Sequence, residues 1–215
     1  MLVGTKGSGT IFFTHCNLKY RFCQNYDISI QGSGGPVTED QIVSVMIYLQ
    51  KLGCHNINLV TPTHVVSHIL KALEIAAKNG LHIPLIYNCS GYESLDTLKI
   101  MDGVVDIYMP DFKFWDPGNA QISYEAQDYP EKAKAALKEM FRQTDDLKMD
   151  KKNVVVSGLL VRHLVMPEDF ANTGEIIKFI REEVSLSTYI NVMSQYRPMG
   201  EACDIPALRP ITKKE

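Results

Sequence analysis

Short runs of β-branched and apolar residues alternate six times with longer stretches of helical period, and few folds are open to a chain built this way. The pattern predicts repeated β-α units around a parallel sheet. Strands are expected at residues 10–13, 57–60, 84–87, 105–109, 159–165 and 189–193. Each is short enough to be a buried strand of a barrel or sheet. Between them, residues 38–52 put Ile42, Val43, Val45, Met46, Tyr48 and Leu49 mostly on one helical face. Thr38-Glu39-Asp40 opens that helix and Gly53 stops it. Further helices are expected at 65–79, closed by Lys78-Asn79-Gly80, at 129–145, opened by Pro130, and at 168–183. Residues 114–128 carry Asp116-Pro117-Gly118-Asn119 and little periodicity, so they read as a loop after the fourth strand. In a β/α barrel such loops build the active-site face.

At 215 residues, 45% of them hydrophobic, the chain has material for one sizeable core. A single domain spanning 1–215 is expected, with 1–9 a short lead-in and 199–215 a C-terminal tail. A net charge of −3, from 22 basic and 25 acidic residues well mixed, gives no basic footprint for a phosphate backbone, so no nucleic-acid partner is expected. No stretch approaches the roughly 20 apolar residues of a membrane span, and the first residues lack the layout of a signal peptide. The expected location is cytoplasmic and off the membrane. Cys16, Cys23, Cys54, Cys89 and Cys203 are odd in number and scattered, which favours reduced thiols or metal ligands over a disulfide framework.

The run Gly7-Ser8-Gly9-Thr10-Ile11-Phe12-Phe13-Thr14, then Cys16, Asn17-Leu18-Lys19 and Cys23-Gln24-Asn25 resembles the cluster loop of radical S-adenosylmethionine proteins, in particular those related to pyruvate formate-lyase-activating enzyme. Further segments carry the resemblance through the chain: 56–64, 87–92, 105–113, 162–167 and 195–198. It implies an open, partial six-stranded β/α barrel. It also implies a four-iron, four-sulfur (4Fe-4S) cluster held by three cysteines at C-x3-C-x2-C spacing, with S-adenosylmethionine on the fourth iron. Cys16 and Cys23 match the outer cysteines, and Tyr20 stands at the middle one. Phenolate can ligate iron, but its ordinary pKa near 10 makes it a poor replacement for a thiolate. His15, beside Cys16, is a second potential substitute, as histidine is in Rieske centres.

The same resemblance places cofactor contacts at Thr61, Thr63 and His64 after the second strand and at Asp111 and Lys113 after the fourth; Asn88 and Ser90 after the third offer hydrogen-bond groups for a ribose or carboxylate, and Arg162, a charge in the otherwise apolar fifth, is expected near the cofactor carboxylate. On their residues alone, these positions are equally a proline-fixed turn, a strand-to-helix turn, a surface ion pair and a strand charge that must be paired. His163 is expected to be structural, while Asn191, Met193 and Gln195 alternate along the last strand so as to line the lumen. The activity implied is reductive cleavage of S-adenosylmethionine to a 5′-deoxyadenosyl radical. A glycyl radical protein would be the substrate and reduced flavodoxin or ferredoxin the electron donor. The alternative is a non-catalytic barrel binding S-adenosylmethionine, a nucleotide or a partner protein, for which Tyr20 is the main evidence.

Overall fold

The computed structural model describes residues 2–212; Met1 of the lead-in and 213–215 of the tail lie outside the described residues. The elements follow in the order β1 (Gly9–Phe12), α1 (Tyr26–Ser29), α2 (Glu39–Lys51), β2 (Ile57–Val60), α3 (Val66–Lys78), β3 (Leu85–Cys89) and α4 (Leu95–Ile100). Then come β4 (Ile107–Pro110), α5 (Pro117–Tyr124), α6 (Tyr129–Thr144), β5 (Lys148–Met149), β6 (Val155–Leu164), α7 (Thr173–Phe179) and β7 (Tyr189–Met193). Six parallel strands lie in the order β1-β2-β3-β4-β6-β7, and the two-residue β5 adds to β6 antiparallel. This is the expected open six-stranded β/α barrel, with β1 and β7 as its free edges. No helix among the described residues is long and apolar enough to cross a membrane.

Strand alternation divides the two faces. Ile57, Leu59 and Leu85 pack outward against Ile42, Val43 and Met46 of α2 and Ile69, Ala72 and Ala76 of α3. Tyr87, Tyr108, Leu159 and Val161 pack outward into a larger, aromatic-rich cluster with α4, α6 and α7. Burial of each such side chain contributes about 1.5–3 kcal/mol. The inward positions Ile86, Ile107, Met109 and Leu160 close the bottom of the barrel with Leu2, whose carbonyl accepts from Asn56 Nδ2 at 2.7 Å. Above that plug the inward positions turn polar.

Helix α2 begins as expected: Thr38 and Gln41 exchange side-chain and backbone hydrogen bonds in a capping box. Four expectations need correction. The stretch 114–128 is not all loop, because Asp116 caps α5 by accepting from Asn119 N at 2.9 Å and Pro117 occupies its first turn. Its periodicity was weak because small Ala120 and Ser123 and the aromatic Tyr124 are buried together. The helix expected at 168–183 is broken: Glu168, Asp169 and Asn172 take left-handed backbone angles, so α7 starts at Thr173 and ends in one π-turn over Ile180–Val184. The fifth expected strand is longer, since β6 starts at Val155, and the fourth starts at Ile107 rather than at Val105. The segment from Gly200 folds back through two short 3-10 turns that bury Ala202 and Leu208, and Tyr196 Oη donates to the Leu208 carbonyl at 2.8 Å.

Candidate functional site

A cavity of about 350 Å³ opens at the C-terminal ends of the parallel strands. This is where a parallel β/α sheet collects its functional loops, and the size suits a small-molecule ligand. Every parallel strand contributes: Thr10 from β1, Asn58 from β2 with Thr61 and Thr63 beyond it, Asn88 from β3 with Ser90 beyond it. Asp111 and Lys113 follow β4, Arg162 comes from β6, and Met193 and Gln195 belong to the β7 end. The loop after β1 supplies Cys16, Tyr20 and Phe22.

The polar centre is a charged trio. Asp111 and Lys113 alternate along the extension of β4 and are ion-paired, Lys113 being 6% exposed. Asp111 also bridges to Arg162 in the next strand, whose Nε lies 3.5 Å from Asp111 Oδ1. Arg162 further approaches Asn88 Oδ1 at 3.5 Å and Met193 Sδ at 3.8 Å. Two cations around one carboxylate leave a net positive charge, which favours a ligand carboxylate. Asp111 Oδ1 and Asn58 Oδ1 are buried without a hydrogen-bond partner, an arrangement that a donor-bearing ligand would satisfy. His163, the neighbour of Arg162, points the other way: its ring nitrogens meet the Phe112 carbonyl at 2.7 Å and Thr173 Oγ1 at 2.9 Å, and burial lowers its pKa.

Two features fix the walls. Tyr129 Oη accepts from Lys113 N at 2.9 Å and lies 3.0 Å from the Ser90 carbonyl and 3.1 Å from that of Asp111, clamping the chain after β3 to the chain after β4. Gly91, at φ 79°, lies so close that a Cβ there would sit 2.5 Å from the Asp111 carbonyl oxygen. Gly91→Ala is therefore expected to cost well over about 1 kcal/mol in urea unfolding and to displace Asp111; an unchanged midpoint would show that this approach is not tight.

In the loop after β1, Cys16 accepts at its sulfur from Leu18 N at 3.4 Å, and Cys23 Sγ lies 2.9 Å from Ser29 Oγ. Both thiols are buried and free. Tyr20 is half-buried and lines the cavity with Cys16, its ring 5.0 Å from that of Phe22 and 4.7 Å below Lys113 Nζ. Burial above all, then proximity to Cys23, Asp111 and Cys16, pushes its phenol well above the ordinary range. A protonated phenol does not replace a thiolate. Among the described residues no group of three or more His, Cys, Asp or Glu is placed to hold a metal ion. The residues present thus do not fit a cluster held by three thiolates.

Of the positions singled out from sequence, Thr61, Thr63, Asn88, Ser90, Asp111, Lys113, Arg162, Cys16 and Tyr20 share this cavity. Cys23 lies behind Tyr20. His64 lies outside the lining, its Nε2 2.8 Å from the Thr14 carbonyl. His15 is exposed beside Gly32, and Asn191, though in register with Arg162, is exposed on the edge strand. Sequence reasoning missed Asn58, Tyr129 and Glu93. Asn58 was visible as one amide within Ile57-Asn58-Leu59-Val60, whereas Glu93 and Tyr129 gave no local signal.

No protein-family model matches the sequence. An uncharacterized protein of Methanocaldococcus jannaschii is 32% identical over 219 aligned positions, which take in 97% of this chain and 59% of that relative. The chain therefore spans less than two thirds of the relative's length. Among solved structures, HydG, a maturase of the FeFe-hydrogenase, superposes with a TM-score of 0.62 at 11% identity over 96% of this chain and 47% of its own. HydG from Carboxydothermus hydrogenoformans gives 0.58 at 10% identity over 96% and 46%. Methylornithine synthase, PylB, gives 0.59 at 14% identity over 95% and 58%. At these identities the likeness is one of fold, the partial β/α barrel of the radical S-adenosylmethionine type.

Proposed function

We propose that this barrel binds S-adenosylmethionine in the cavity at its strand ends, and that with Tyr20 in place it acts as a binding barrel and not as a radical generator. The observation that carries the reading is the charged trio Asp111, Lys113 and Arg162 in one polar cavity with Asn58, where Asp111 Oδ1 and Asn58 Oδ1 are buried and accept no hydrogen bond. The ligand brings both a carboxylate and an ammonium group. Arg162 and Lys113 suit the carboxylate, Thr61 and Thr63 the ammonium, and Asn88 and Ser90 the ribose hydroxyls. Bound, the cofactor would supply a sulfonium centre, which the aromatic ring of Tyr20 could face through cation–π attraction.

Titration calorimetry tests this. Wild-type protein is expected to bind S-adenosylmethionine, and Arg162→Ala to bind at least roughly tenfold more weakly, about 1.4 kcal/mol. Equal affinity in the two proteins would sink the reading.

A second reading is favoured by the fold likeness to a hydrogenase maturase and to methylornithine synthase, and by the two thiols beside the cavity. In it, Cys16 and Cys23 hold a 4Fe-4S cluster with a third group. That cluster would supply reductive cleavage of S-adenosylmethionine, with reduced flavodoxin or ferredoxin as the electron donor and a glycyl radical protein as the substrate. Anaerobic reconstitution separates the readings: iron and sulfide bound by the wild-type chain, with a paramagnetic signal that changes on adding S-adenosylmethionine, would replace the first with the second.

A further inference from the structure

Behind the cavity wall lies a carboxylate with no role in the binding described above. Glu93 is 3% exposed and has no ion pair among the described residues. Its partners are hydroxyl and thiol donors: Thr63 Oγ1 at 2.7 Å from the turn after β2, Tyr87 Oη at 3.0 Å from β3, and the thiol of Cys89, two residues along the same strand. Tyr108 of β4 is a further titratable neighbour. A buried carboxylate without a cation is costly unless something requires it.

Thr63 is the member of this set with a consequence for the ligand, because it also lines the cavity. An ionised carboxylate only accepts hydrogen bonds, so the Thr63 proton is committed to Glu93 and the hydroxyl lone pairs remain for the cavity. A protonated carboxyl must itself donate. When it donates to Thr63 Oγ1, the Thr63 proton turns toward the ligand. The same turn carries Thr61 at φ 59°, a left-handed angle that a β-branched residue rarely adopts. Strain of this kind persists where the surroundings hold the backbone for a purpose. The Thr63–Glu93 bond is such a restraint.

We propose that Glu93, acting through the Thr63 hydroxyl, sets the hydrogen-bonding sense of the cavity wall after β2, so that a ligand ammonium group is accepted there when Glu93 is ionised and refused when it is protonated. Glu93 is thus a positioning residue, and the inference rests on the S-adenosylmethionine reading above. Burial pushes its carboxyl up to about 7, against the opposing pull of Thr63, Tyr87 and Cys89. The switch falls within the range of ordinary buffers.

The experiment is the pH profile of S-adenosylmethionine affinity for wild type, Glu93→Gln, Thr63→Val and Thr63→Ser. Wild-type affinity is expected to fall by up to roughly tenfold per pH unit below about 7, and to fall again above about 8 as the ligand's own amine loses its proton. Glu93→Gln and Thr63→Val are expected to lose the acid limb and keep the alkaline one, while Thr63→Ser restores both. Without ligand, a carboxyl raised from 4.5 to about 7 stabilises the fold at low pH and loses that contribution as pH rises. Wild-type Tm should therefore decline across that window relative to Glu93→Gln. An acid limb shared by wild type and Glu93→Gln would overturn this inference and leave the binding reading standing. No binding by wild type at any pH would overturn both.

Discussion

Asp111→Ala is expected to lower the unfolding free energy by about 3–5 kcal/mol, as is usual when one partner of a buried ion pair is removed. Among the described residues its carboxylate is the one anion ion-paired with Lys113 and Arg162, whose side chains are 7% and 28% exposed. Without it two cations face each other across a partly desolvated cavity, and neither can reach bulk water freely. The backbone of residue 111 keeps its bonds to Cys89 and Tyr129, so the loss would report on charge. Urea unfolding measures it. Added chloride should restore part of the stability, since an anion in the cavity replaces the missing charge. A loss below about 1 kcal/mol would show that water in the cavity already screens the trio as it screens surface pairs.

Tyr20→Cys is expected to raise iron and sulfide after anaerobic reconstitution from background to roughly four of each per chain, the content of one 4Fe-4S cluster. The loop already presents Cys16 and Cys23 as buried free thiols, with Leu18 N–H aimed at the Cys16 sulfur. What it lacks is a thiolate at the third position. Tyrosine there is held protonated by burial and fills space among Phe22, Tyr124 and Lys113. Substitution both empties that space and supplies a thiolate. It also removes aromatic packing, so a loss of about 1–3 kcal/mol in stability is expected alongside. Unchanged iron content in a folded Tyr20→Cys protein would sink the idea that this residue is what prevents assembly.

The barrel was legible because strand and helix periods differ. Ile57-Asn58-Leu59-Val60 and the capped helix that follows Thr38 specify their states locally, through alternation and through backbone groups satisfied within a few residues. Where the local signal was averaged out, the reading failed. Helix α5 buries Ala120, Ser123 and Tyr124 on one face, but that face includes a polar serine and Ile122 is exposed outside it, so the helix shows no amphipathic stripe, and α7 is delayed by left-handed residues at 168, 169 and 172 that periodicity does not register.

The site divides in the same way. Sequence by itself determined the order of six β-α units, the cysteine loop and the polar residues at strand ends, because each is a matter of residue type and spacing along the chain. Tertiary structure alone decided that Tyr20 is half-buried and kept protonated, that Asp111 rather than solvent neutralises Arg162, that His64 faces Thr14, and that Glu93 stands behind Thr63. Those outcomes depend on which groups from distant strands share a low-dielectric space. Spacing along the chain carries no record of that, because desolvation and hydrogen-bond partners are set by neighbours brought together only when the sheet curves.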